Sequence, residues 1–461
     1  MHSHYRQSRD RRVSRENQRT RPHTPSFRFL IVLVSGLVLV LVALCSTPGL
    51  LFSPPPQAPM ALPVAPATLV QQPTITPIPG SLPAEAEPAA PPIPAEVSAA
   101  VGAAEGQASN ASQRTGNGAA LPMPTNAPKS IPNVAGQAGK LIDKHMIDLT
   151  NAQLFSGVLL VVDHGQVIVH KGYGLADSEQ GSANTPQTRF RLASLTKAFT
   201  AMAILILQHQ DKLNVQDPIC TYLPDCPAEW QAITIRHLLT HTSGIPNYTD
   251  FIEFETTEML TTTTTELLSR FRDLPLAFAP GEMYSYDNSG YVLLGLIIER
   301  VSGQSYADFL QSAIFTPLGM TSTGYDQNVG AIQPGQAMGY TSIGVKAPFI
   351  DTSTLFAAGG LYSTAEDMLR WHQALKSEQL IPQALMQEMF TPLHMGYGYG
   401  WKMQRVADHL AATHSGYFNG FSNYIVHFKD DDLFILVLSN LQSAASYDIS
   451  AYAARLVFEN R

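Results

Sequence analysis

The chain has 461 residues, of which 45% are hydrophobic and only 14% charged, against roughly 25% charged in an ordinary soluble domain. Its net charge of −8 is split unevenly: residues 1–28 hold eight arginines against Asp10 and Glu16, and that +6 leaves −14 for the rest. An acidic remainder argues against nucleic acid as a partner, and the low charge argues against a chain that is ordinary domain throughout.

The basic tail 1–28 ends at an apolar run, Phe29 to Cys45, 17 residues without a charge. Continued to Phe52, the uncharged stretch reaches 24 residues, more than the roughly 20 of a membrane-spanning helix. Arginines before it and no basic residue after Arg28 until Arg114 keep the N-terminus in the cytoplasm and send the rest across. The expectation is a single-pass signal-anchor over 29–52 in the cell membrane. A cleaved signal peptide and a secreted protein is the alternative, disfavoured because no A-x-A site follows the run cleanly. Residues 53–136 read as a Pro/Ala-rich disordered linker. Eighteen of the 33 prolines lie between Pro54 and Pro132, among only six charged residues, too little apolar surface to offset the entropy of ordering. As a coil it spans roughly 50 Å.

The folded part is expected over 137–461. A helical pattern at Leu141, Ile142, His145, Met146 and Leu149 precedes a hairpin, Gly157–Val162 and Gln166–His170, turning at Asp163-His-Gly165. The middle reads as helical: Ala193–His209, then Tyr291–Val301 ending at Gly303. A capping box, Ser363-Thr-Ala-Glu366, opens a helix over Ala365–Leu375. The run Thr261–Thr265 reads as a polar loop leading into a helix at Glu266. Strands return at Ser422–Phe428 and Leu433–Ser439, and a last helix covers Ala444–Glu459. Strands at both ends with helices between predict an α+β fold, an antiparallel sheet built from both ends of the domain with an inserted helical region. Cys220 and Cys226 close a short turn-rich loop and are candidate disulfide partners outside the cytosol, with two buried thiols as the alternative.

The chemistry starts at Arg191-Leu-Ala-Ser194-Leu-Thr-Lys197. A serine and a lysine three apart at a helix start share one face. The helix N-terminus aims N–H groups at developing negative charge, and a desolvated lysine can lose its proton near neutral pH. Tyr284-Ser-Tyr286-Asp-Asn288 follows, with Tyr286 and Asn288 pointing to one side if extended. Then comes Thr413-His414-Ser415-Gly416-Tyr417, where glycine permits close backbone approach and the next N–H can face an oxyanion. His237 and His241 are four apart but lack the glutamate of H-E-x-x-H, so no metal is expected. No organic cofactor is expected either, and the absence of G-x-S-x-G removes the nucleophile-elbow hydrolases.

The order S-x-x-K, Y-x-N, H-S-G resembles the serine beta-lactamase-related hydrolases: penicillin-binding proteins, class C beta-lactamases, D-stereospecific peptidases and esterases. Thr188–Lys197, Ile233–Pro246, Gly290–Glu299, Ala357–Asp367, Gly396–Trp401 and His414–Ser422 carry the likeness, which covers about 140–461. The resemblance implies that Ser194 is acylated, that Lys197 is its base and that Tyr286 passes the proton to the leaving group. It further implies that Asn288, His414, Ser415 and Gly416 bind substrate, and that the N–H groups of Ser194 and Tyr417 form an oxyanion hole. The implied function is an extracytoplasmic serine hydrolase acting on esters or D-amino-acid peptides, with small-molecule or cell-wall-type peptide substrates. A beta-lactamase, or a penicillin-binding sensor with little turnover, is the alternative.

Two residues depart from the family pattern. Asp287, in the middle of Y-x-N, adds a negative charge if it faces the cleft. His414 stands where the lactam-binding version has lysine, and an ordinary histidine is only partly charged at neutral pH. Neutral esters are therefore expected to be better substrates than carboxylate-bearing lactams, with lactam binding improving as pH falls toward 6. An uncleaved anchor makes its own prediction. Intact protein should fractionate with membranes, and protease added outside the cell should release a fragment cut within 53–136; a mature N-terminus just after Cys45 would show the secreted alternative.

Overall fold

The computed structural model describes residues 134–326 and 335–461. The basic tail, the apolar segment 29–52 and nearly all of the linker expected over 53–136 lie outside the described residues. Among the described residues no helix is long and apolar enough to cross a membrane.

Helix α1 (Gly136–Asn151) leads into a hairpin, β1 (Gly157–Asp163) and β2 (Gln166–Tyr173). Its turn residues His164 and Gly165 both have positive φ, 47° and 74°, the backbone that matches the twist of two-residue hairpins. Helices α2 (Thr196–His209), α3 (Ser289–Ser302) and α4 (Ala365–Leu375) form the backbone of the middle region. Four strands then follow in antiparallel succession: β3 (Lys402–Val406), β4 (His409–Phe418), β5 (Phe421–Phe428) and β6 (Leu433–Ser439). Helix α5 (Ser446–Glu459) ends the chain. Strand order is β3-β4-β5-β6-β1-β2. The two ends of the domain meet where Gly157 pairs with Ser439 and Asp163 with Leu433.

Strands β1 and β6 are apolar without alternation because both faces of the sheet are covered. Val158, Leu160, Leu436 and Leu438 pack with the helical region in the larger core. Leu159, Val161, Ile435 and Val437 pack with Ile142 and Met146 of α1 and Ile449 and Ala453 of α5. Helix α2 is buried from Thr196 to Leu207, as a helix apolar all round must be. At about 1.5–3 kcal/mol for each large apolar side chain removed from water, it is the axis around which α3 and the short turns pack. Cys220 and Cys226 form a disulfide with Cα atoms 5.3 Å apart, beside Trp230 and away from the cleft described below.

Three local expectations need correction. The cap of α4 is Thr364, whose hydroxyl accepts from the Asp367 N–H at 3.1 Å. Ser363 instead ends a short strand, Leu361–Ser363, and its Oγ lies 2.7 Å from Thr323 Oγ1, so it is not free to cap. The threonine run itself starts a helix, Thr264–Ser269, through a Thr263–Glu266 capping box. Strands β3 and β4 were not expected, because His409–Phe418 is rich in small and polar residues of low strand propensity; pairing along β5 overrides that preference.

One buried pair gives the fold a pH limit. His372 of α4 and His427 of β5 are buried with their Nδ1 atoms 3.2 Å apart. Burial lowers His372 to about 2, helped by His427 and Lys376; burial lowers His427 to about 4, with Lys376 adding to it. Both are depressed below the unfolded value of about 6.5, so the stability they allow is present above that pH and is lost as pH falls through 6.5 toward 4. Thermal unfolding should move down over this window, and His372→Phe, which keeps the stacking on Phe434 at 4.3 Å, should make the decline shallower.

Candidate active site

Ser194 lies in a tight turn, Ala193–Leu195, directly ahead of α2. Ala193 holds φ at +50°, a left-handed conformation that costs a non-glycine residue on the order of 1 kcal/mol. The turn is pinned from several sides. The Leu192 N–H donates to Leu361 O at 2.8 Å, and Asn423 of β5 donates through Nδ2 to Arg191 O at 2.9 Å. Strand β4 runs against it at Gly416, where a Cβ would fall 2.2 Å from Leu192 O. Only glycine lets the strand come this close, which brings Tyr417 to the same cleft as Ser194.

Four of the expected residues share one hydrogen-bonded cluster. Tyr286 OH donates to Ser194 Oγ at 2.9 Å, and Lys197 Nζ lies 3.2 Å from the same oxygen. Lys197 Nζ also reaches Asn288 Oδ1 at 2.7 Å and Ala358 O at 2.9 Å. These contacts fit a neutral amine well: two N–H bonds go to the amide and carbonyl oxygens, and the lone pair remains for the serine O–H. Lys197 is 0% exposed, and its burial lowers its pKa from 10.5 to about 7 against the opposing pull of Asp287. Tyr286 is pushed the other way. Burial holds its phenol well above 10, against the Ser194 bond, so it carries its proton at neutral pH. The cluster therefore offers a serine, a neutral base and a proton donor within hydrogen-bond reach.

Asp287 does not face the cleft. Its carboxylate is buried, accepting the Gly290 N–H at the start of α3, and its negative charge raises both Lys197, against burial, and Tyr286, along with burial. His414 also differs from expectation. Its Nδ1 lies 2.7 Å from Ser415 O and its Nε2 2.8 Å from Tyr397 OH. The first contact requires the proton on Nδ1, so Nε2 accepts from the tyrosine. Burial, reinforced by the nearby Lys197 charge, lowers His414 to about 3. It is neutral at pH 6 as at pH 7, and it supplies no partial charge for a carboxylate. Ser415 is exposed and spends its carbonyl on His414.

Other residues of the site escaped the sequence reading. Asn247 accepts the Asn288 N–H at 2.9 Å, and Thr249 accepts from Asn288 Nδ2 at 2.9 Å; the sequon-like Asn247-Tyr-Thr249 braces Asn288. His237 and His241 do unrelated jobs. His237 Nδ1 accepts the Thr234 N–H in a capping box, while His241 is buried among the rings of Tyr284, Tyr286, Tyr291 and Tyr397. The only local hint was the family-like stretch Ile233–Pro246. The cleft in front of Ser194 holds about 600 Å³. Asn288, Phe254, Ile350, Leu355 and Phe418 line it with Glu255 and Glu258, and among the described residues no lysine or arginine does.

A sheet joining both ends of a domain around a serine–lysine–tyrosine cluster whose lysine is buried defines a beta-lactamase/transpeptidase-like fold. The chain belongs to the Beta-lactamase family, whose model matches residues 140–459. It is 36% identical over 295 residues to the protein PbpX of Bacillus subtilis strain 168, named a putative penicillin-binding protein, covering 63% of this chain and 72% of that one. A penicillin-binding protein of that strain is 30% identical over 317 residues, 64% of this chain and 70% of that one. Among solved structures, a penicillin-binding protein from Bacillus halodurans aligns with a TM-score of 0.61 at 28% identity, over 68% of this chain and 99% of its own. The D-amino acid amidase of Ochrobactrum anthropi SV3 shares the fold with a TM-score of 0.63 at 23% identity, over 71% of this chain and 100% of its own.

A base with a pKa near 7 sets a pH profile. Modification of Ser194 by an uncharged acylating reagent should slow about tenfold per unit below pH 7, as Lys197 takes up its proton, and Lys197→Met should remove both the rate and its pH dependence.

Proposed function

We propose that this chain is a membrane-anchored, extracytoplasmic serine hydrolase that acts through an acyl-enzyme on esters or D-amino-acid-containing peptides. The observation that carries the reading is Ser194 Oγ within 3.2 Å of a buried lysine amine and 2.9 Å of a tyrosine O–H, at the wall of an open cleft. Ser194 Oγ bonds to the acyl carbon as its proton passes to Lys197 Nζ. The N–H groups of Ser194 and Tyr417 take the oxyanion. The bond to the leaving group then breaks, Tyr286 O–H gives that group its proton, and the proton taken up by Lys197 restores the phenol. Water reverses these transfers and releases the acid. Asn288, whose Oδ1 orients Lys197, presents its remaining amide N–H to the acyl portion, and β4 at Ser415 and Gly416 runs alongside it.

The anchor rests on the uncharged run Phe29–Cys45 and the arginines before it, which sends the catalytic part outward. The disulfide between Cys220 and Cys226 suits that compartment. Substrate preference rests on charge. With His414 neutral and Glu255 and Glu258 lining the cleft, carboxylate-bearing substrates meet repulsion without a fixed cation. Asn419 Nδ2 holds Glu258 Oε1 at 2.7 Å. The names of the Bacillus relatives favour a second reading, acylation by penicillins with little turnover.

The test uses the full-length protein in detergent. A fluorophosphonate should add mass at Ser194, and Ser194→Ala should abolish this with thermal unfolding nearly unchanged. A neutral short-chain ester should show a kcat/KM at least tenfold above the same ester carrying a carboxylate, and Glu258→Gln should narrow the gap. Efficient penicillin hydrolysis with esters ignored would overturn the charge argument, and labelling that survives Ser194→Ala would remove the mechanism.

A further inference from the structure

His241 is a buried imidazole that the steps above do not use. It is 0% exposed and sits in an unusual backbone conformation, φ +57°, which histidine adopts far less readily than glycine. That conformation turns both its carbonyl and its ring toward one short segment. The Ser285 N–H donates to His241 O at 2.9 Å, and the Asp287 N–H donates to His241 Nδ1 at 3.2 Å. The residue between those two donors is Tyr286. The His241 ring also lies against the Tyr286 ring, centroids 4.4 Å apart at 41°, while Tyr397 and Tyr291 close the cage at 4.6 and 5.2 Å.

The ring's protonation follows from these contacts. Nδ1 is 3.2 Å from the Asp287 N–H and 3.5 Å from Asp287 Oδ2. The longer distance is marginal for a hydrogen bond, and the shorter one needs a lone pair on Nδ1. The proton therefore belongs to Nε2, which has no hydrogen-bond partner among the described residues in a ring enclosed by tyrosines. A buried polar atom left in this state costs stability. The same volume could have been filled by an apolar ring at no such cost.

We infer that His241 is the positioning residue for Tyr286, clamping both flanking peptides and one face of its ring so that the phenol O–H stays aimed at Ser194 Oγ. This rests on the acyl-enzyme reading above, in which Tyr286 hands a proton to the leaving group. Proton transfer tolerates little misplacement, since geometry within about half an ångström separates a productive donor from an idle one. A tyrosine free to swing would still leave Ser194 and Lys197 in place. The enzyme would then acylate readily where the leaving group needs no proton and poorly where it does.

The test is therefore a leaving-group series on the full-length protein, a p-nitrophenyl ester against an alkyl ester of the same acid. Two variants remove the acceptor: His241→Phe keeps a ring in the cage, and His241→Gly suits the left-handed backbone. His241→Asn keeps an acceptor near the position of Nδ1 and a residue type at home at positive φ. Either folded removal variant, as judged by thermal unfolding, should lose at least tenfold more kcat/KM on the alkyl ester than on the p-nitrophenyl ester, with the loss in kcat and not KM. Tyr286→Phe should show the same pattern, and His241→Asn should return the ratio of the two esters to within about threefold of wild type. Equal losses on both esters, or none in a folded removal variant, would overturn the inference. Should neither removal variant fold, His241→Asn decides: a wild-type ratio supports the clamp, and a ratio like that of Tyr286→Phe overturns it. Failure of the wild type to turn over either ester or to label at Ser194 would instead count against the proposed function itself.

Discussion

The site depends on keeping one amine out of water without giving it an anion. Lys197 is enclosed by neutral partners, a serine hydroxyl, an amide oxygen and a peptide carbonyl, with the tyrosine rings of 286 and 291 centred 4.9 and 5.3 Å from Nζ. Desolvation penalises its charged form, and the cation–π attraction of two rings offsets only part of that penalty. A carboxylate bonded directly to Nζ would restore the charge and remove the base. Asp287 acts on Lys197 only through space, with its carboxylate accepting the Gly290 N–H.

That enclosure needs four separate stretches of chain, and the fold supplies each from a rigid support. The turn Ala193–Leu195 and the start of α2 bring Ser194 and Lys197 together. The start of α3 fixes Asn288 and Asp287, the turn Phe356–Ala358 contributes a carbonyl, and β4 closes the far side. The sheet joins these supports: Asn423 of β5 binds the Arg191 carbonyl with one end of its amide and the Ser439 N–H with the other. Strain at Ala193 and at His241 persists because the surrounding contacts overdetermine both positions.

The sequence disclosed those parts of this arrangement that obey a local period. A serine and a lysine one helical turn apart, apolar strands at both ends of the domain, and a helix apolar on every side are readable from spacing alone. Strand β4 was hidden because its composition follows the demands of the cleft, a glycine at 416 and small residues around it, more than those of a strand. The capping of α4 slipped by one residue because Ser363 already had a partner in Thr323. Nothing local distinguishes His237, a half-exposed cap, from His241, a sealed clamp. The difference lies in which rings surround each one, and that is a property of tertiary packing.

Charge at the cleft shows how far burial changes what a residue type implies. Read as a solvent-exposed side chain, His414 is a weak cation replacing a strong one. In place, its Nδ1 proton is held by Ser415 O and its Nε2 lone pair by Tyr397, so it acts as a link in a polar network that ends at the tyrosine cage. Burial disfavours its charged form first, and a positive charge near Lys197 adds to that cost. A neutral histidine thus leaves the pKa of the base where burial sets it. A lysine at the same position would favour an anionic substrate but would also lower Lys197 further and break the link to Tyr397. Substrate charge and base strength are therefore coupled through one residue, and with that histidine neutral the recognition of charge falls to Glu255 and Glu258, which line the cleft.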